Sequence, residues 1–111
     1  MFYISYSQDN VVLYVLGFKM NLEEYYEKLD YFAQRCIQKN VQPHEFIEQA
    51  GEDEKNVSDC VDLRTALLSS EDKENFTSCL PVGFFLNKNT STRLACFALI
   101  SEIDALILKK R

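Results

Sequence analysis

A chain of 111 residues with 47% apolar and 26% charged positions has material for one domain of ordinary size, spanning 1–111, and is too rich in apolar residues for a wholly disordered polymer. Its net charge of −5 argues against general nucleic-acid binding, which needs clustered Lys and Arg to neutralise phosphate. Three glycines and two prolines leave little for long flexible linkers or Gly-rich phosphate loops.

The first twenty residues alternate over 2–7 and then run apolar and β-branched over 11–18, with Gln8-Asp9-Asn10 between them. This pattern predicts a β-hairpin. Asn21 follows, with Glu24 three residues on, in the manner of a capping box. Apolar residues at 22, 25, 26, 29, 32, 33, 36 and 37 then draw the stripe of an amphipathic helix over 21–39. On that stripe Tyr25 and Tyr26 face the core, and Tyr31 falls beside it as the tyrosine expected to be exposed. Pro43 suits the first turn of a short helix over 43–50 closed by Gly51, followed by a solvated connection over 51–55. Asn56 or Ser58 is expected to cap a third helix to about Ser69. A short helical turn over 70–75 carries Phe76 and is stopped at Leu80-Pro81.

Residues 82–86 (VGFFL) read as a strand, and 87–92 as a polar loop. The last segment admits two readings: a strand over 93–100 leading into a helix capped by Ser101 and Asp104, or one helix over about 92–109. The second is favoured, because Ala95, Cys96, Leu99, Ile100, Ile103, Leu106 and Ile107 fall on one arc; Leu94, Phe97 and Leu108 are misfits. The expected fold is therefore α+β: a small antiparallel sheet, made of the hairpin plus the strand near 82–86, packed against three to four helices.

The chemistry of known motifs is absent. Four cysteines at 36, 60, 79 and 96 form no CxxC pair, and the single histidine, His44, has no cysteine at ligand spacing, so no metal site is expected. Asp53, Asp59 and Asp62 lack calcium-loop spacing, and neither a phosphate loop nor a dinucleotide fingerprint is present. No cofactor and no catalytic residue is expected. Each cysteine sits in a partly apolar stretch, which predicts buried thiols of low reactivity. The N-terminus lacks the basic and long apolar regions of a signal peptide, and no stretch of about 18 uncharged apolar residues occurs. A cytoplasmic location without membrane contact is the expectation.

Charge is distributed unevenly. Residues 1–20 are neutral, residues 21–74 hold fourteen acids against six bases and carry −8, and residues 75–111 carry +3. The acidic middle names Glu23, Glu24, Glu27, Asp30, Glu45, Glu48, Glu52, Asp53, Glu54, Asp59 and Asp62, with Tyr31, as candidate partner-binding residues. Carboxylates speed encounter with a basic protein, and tyrosine brings large contact area with few rotors. The leading expectation is an inhibitor or neutraliser of the immunity type, which occludes a basic partner such as a nuclease toxin. A structural or adaptor subunit, secretion-chaperone-like or a homodimer that buries Leu94, Phe97 and Leu108 in a second copy, is the alternative. A small enzyme using a cysteine or paired carboxylates is the third.

Overall fold

Five α-helices and one 3-10 turn make up the regular structure of residues 20–111, which are the residues described by the computed structural model. Helix α1 spans Leu22–Lys39, α2 Pro43–Glu48, α3 Glu54–Ala66, α4 Ser70–Thr77 and α5 Thr90–Lys110, with the 3-10 turn at Gly51–Asp53. The caps explain most boundaries. Asn21 Oδ1 accepts the Glu24 N–H at 2.8 Å. At the other end Asn40 adopts φ 55° and the Val41 and Asn40 N–H groups close onto the Cys36 and Ile37 carbonyls, a Schellman ending. Ser69 and Asp72 exchange side-chain and backbone bonds at 3.0 Å, a capping box that starts α4. Asn89 caps α5 by accepting the Thr92 N–H at 2.8 Å.

Helix α5 is the centre of the assembly. It packs against α1, α2, α3 and α4. Leu94, Ala95, Cys96, Ala98 and Leu99 are all buried, so its first turns are covered over a wide arc, whereas beyond them only Ile103 and Ile107 are. Around it lie Leu29, Phe32 and Cys36 of α1, Phe46 and Ile47 of α2, and Val57, Cys60 and Leu63 of α3. Phe32 and Phe46 meet with ring centroids 5.4 Å apart and join α1 to α2.

The α+β expectation is overturned: no strand occurs among the described residues. The strand expected at 82–86 is a run of turns. Pro81 and Phe85 carbonyls accept the Phe84 and Lys88 N–H groups, and Gly83 (φ 88°) and Phe85 (φ 48°) both sit in the left-handed region. A backbone that reverses twice in three residues cannot form a ladder, and a bulky residue at positive φ costs about 1–3 kcal/mol. Burial offsets that cost: Phe84 and Phe85 tuck against the core while Val82 and Leu86 point to solvent. The hairpin expected over 2–18 lies outside the described residues.

Other boundaries move as well. α2 ends at Glu48, and Gly51 (φ 55°) opens the 3-10 turn instead of closing a helix. α3 begins at Glu54, ahead of Asn56 and Ser58, and stops at Ala66. The helical reading of 92–109 holds as a single element, and the strand alternative for 93–100 does not. Two of its misfits are covered within the chain. Leu94 is buried, and the half-buried Phe97 lies between Phe76 and Phe84, tilted against the first at 5.9 Å and edge-on to the second at 6.2 Å. Leu108 stays 72% exposed, so it alone carries the argument for a second copy. No helix among the described residues is long and apolar enough to cross a membrane.

The central role of α5 makes a direct prediction. Leu99→Ala, at a fully buried position, costs about 2–5 kcal/mol of unfolding free energy. Leu108→Ala stays within about 0.5 kcal/mol. Urea titration followed by circular dichroism measures both.

Candidate partner-binding surface

Helix α1 turns its acids outward because Tyr25, Leu29, Phe32, Ala33 and Cys36 commit the opposite face to the core. At 3.6 residues per turn, Glu23, Glu27 and Asp30 form one exposed stripe. Tyr26 borders it on one side; Tyr31 and Glu24 border it on the other. Tyr26 is 59% exposed and Tyr31 40%. The expectation that Tyr26 faces the core is corrected: it lies at the edge of the apolar stripe, and only Tyr25 goes in.

The charges of this stripe are not all free. Lys110 Nζ reaches Asp30 at 2.9 Å, so the basic end of the chain folds back on the acidic helix. Glu23, Glu24 and Glu27 have no ion pair among the described residues.

A second group joins α1 to the 3-10 turn. The Tyr31 hydroxyl donates to Asp53 Oδ1 at 2.9 Å. Arg35 lies between Glu52 at 2.7 Å and the second Asp53 oxygen at 3.7 Å. Asp53 is buried at 4% exposure, contrary to the solvated connection expected there. With its carboxylate committed to α1, it makes no side-chain cap on α3. Bonding to Asp53 raises the Tyr31 pKa, because the carboxylate favours the protonated phenol.

The remaining candidates divide further. Glu45 accepts the Gln42 N–H and secures the start of α2. Asp59 pairs with Lys55 at 3.2 Å along α3. Glu48, Glu54 and Asp62 line a cleft of about 720 Å³. The structure thus brings Tyr31, Glu52 and Asp53 together and sets Glu48, Glu54 and Asp62 around one concavity. No hydrogen bond or ion pair among the described residues ties Glu23, Glu24 or Glu27 to either group.

A third polar group escapes sequence reading. Tyr25 donates to Glu102 Oε2 at 3.0 Å, and Arg64 Nε lies 3.6 Å from Glu102 Oε1, linking α1, α3 and α5. Desolvation by burial is the main cause of the raised Glu102 pKa, and it also raises that of Tyr25. Partners 77 residues apart leave no local signal. Arg35 and Lys110 are missed for the same reason, since each pairs with a residue far along the chain.

Three thiols, Cys36, Cys60 and Cys96, are buried. Desolvation pushes Cys36 and Cys96 up to about 11 and Cys60 to about 12. Cys79 is exposed at the end of α4, which corrects the expectation that all four are covered. Its neighbour Leu80 is half-buried, and the chain leaves the helix there for the turn run. Among the described residues no three His, Cys, Asp or Glu side chains converge as a metal site would require.

Two outcomes follow from this geometry. An aromatic disulfide reagent at neutral pH titrates one thiol of the folded chain quickly and the other three only on unfolding; Cys79→Ser removes the fast phase. Glu102 binds its proton at a higher pH when folded than when unfolded, so its own contribution favours the fold as pH falls through that window. Measured by urea titration between pH 7 and pH 4, wild type therefore gains stability relative to Glu102→Gln as the pH is lowered.

Searches of known protein families, of curated proteins and of solved structures find no match to this chain.

Proposed function

We propose that this chain is a cytoplasmic protein-binding domain that neutralises a basic protein by occluding its surface, acting without cofactor or catalysis. The observation that carries the reading is the outer face of α1. There an acidic stripe of Glu23, Glu27 and Asp30 runs between two exposed tyrosine rings, Tyr26 and Tyr31. Glu23 and Glu27, which have no ion pair among the described residues, draw a cationic partner from a distance and determine the on-rate. Exposed tyrosines then supply short-range area at low entropic cost and govern the off-rate. A nuclease is a fitting target, because the Lys and Arg that hold its phosphate substrate pair equally with carboxylates.

The test separates the two contributions. Affinity capture with the wild-type chain is expected to recover a basic protein whose association rate falls steeply between low and physiological salt. Reversing Glu23, Glu24 and Glu27 to Lys slows association about tenfold or more. Tyr26→Ala leaves the association rate nearly unchanged and speeds dissociation. Circular dichroism checks that the reversal, which opposes the α1 dipole by a few tenths of a kcal/mol per charge, leaves the helix folded. Failure to recover any basic protein, or binding indifferent to the triple reversal, refutes the reading.

A further inference from the structure

We infer that the cleft between α2, α3 and the 84–88 turns receives a basic amphipathic helix of the partner, with two cationic side chains two turns apart. The inference rests on the basic-partner reading and adds a second contact, in a cleft that no α1 residue lines. Along α3 the cleft is lined at 54, 57, 58, 61 and 62, which is one helical face. That face reads acid, Val57, Ser58, Val61, acid. Glu54 and Asp62 therefore stand about 12 Å apart along the axis, with an apolar strip between them. Ile47 of α2 and Phe85 of the turn run complete the apolar floor, and Glu48 adds a third carboxylate.

Charge complementarity identifies the occupant. The acids just outside the cleft are held by the chain's own bases: Glu52 and Asp53 by Arg35, Asp59 by Lys55. The three that line it have no ion pair among the described residues. A helix carrying Lys or Arg at i and i+8, with aliphatic residues at i+3, i+4 and i+7, sets its cations against Glu54 and Asp62 and its aliphatic residues against the strip between them, in the helix-in-groove mode. Lys88 of the turn run also lines the cleft; it repels a cation there and orients the incoming charges toward α2 and α3.

The probe is a synthetic helical peptide with lysines at i and i+8 and leucines at i+3, i+4 and i+7, titrated by calorimetry into the intact chain. Glu54→Lys with Asp62→Lys is expected to weaken binding about tenfold or more. Ser58→Trp, which fills the cleft from an exposed position, abolishes it, and Lys88→Glu strengthens it several-fold. A peptide with glutamates in place of its lysines does not bind. The α1 triple reversal leaves peptide affinity within about twofold, since its charges lie on another face. Absence of peptide binding, or binding that ignores both the α3 reversal and Ser58→Trp, overturns the cleft assignment while leaving the α1 reading to its own capture experiment. Peptide binding lost only in the α1 variant overturns it as well.

Discussion

Burial of α5 is the constraint from which the rest of the fold follows. A helix with apolar residues over most of its circumference for its first turns cannot be covered by one neighbour. α1 and α3 take the face carrying Cys96, Leu99 and Ile103. α4 and the turn run supply Phe76 and Phe84 to the side carrying Phe97. The irregular 82–88 segment is thereby explained: it is a cover whose backbone geometry is dictated by where two phenylalanines must go, and Arg93 fastens it by donating to the Phe84 carbonyl at 2.9 Å. Toward its C-terminus α5 needs less covering, and there Leu108 emerges into solvent.

Polar contacts between the layers are few and long in sequence. Three of them join α1 to something distant: Tyr25 to Glu102, Tyr31 to Asp53, Asp30 to Lys110. Such half-buried pairs contribute little net stability, because desolvation offsets most of the attraction, but losing one partner leaves the other stranded. They serve better to determine how α1 sits on its neighbours. They also redistribute charge. The chain is segregated into a −8 middle and a +3 end, yet folding returns Lys110 to Asp30 and spends Arg35 on Glu52 and Asp53. Among the described residues the acids of the candidate surface left without an ion pair include Glu23, Glu24 and Glu27 of α1 and the three acids of the cleft, a more selective pattern than the sequence totals suggest.

The helices with period and cap together were legible. Asn21 and the 22–37 stripe define α1 to within a residue, and the arc of α5 outweighed the strand alternative because seven apolar positions agreed on one face. Residues 82–86 misled because a five-residue apolar run is compatible with a strand and with a buried turn alike, and nothing in VGFFL marks Phe85 for positive φ. Tyr26 misled because a helical wheel has an edge, and position 26 lies on it. Asp53 misled because polar residues after a glycine usually meet solvent, and only the arrival of Tyr31 and Arg35 from α1 gives its carboxylate a reason to be inside. The acids of the candidate surface were all visible in the sequence; which of them are already neutralised was not, since that depends on pairs that meet only in the folded chain.

The Tyr31 O–H is already engaged as a hydrogen-bond donor to Asp53, so it is not free to donate to anything that docks on α1. A phenol in that state is polarised by the carboxylate behind it, and its oxygen becomes a better acceptor. To an approaching guanidinium or ammonium group, Tyr31 therefore offers an electron-enriched oxygen next to a ring face. The buried Asp53, which also faces Arg35, thereby influences the surface through that one bond.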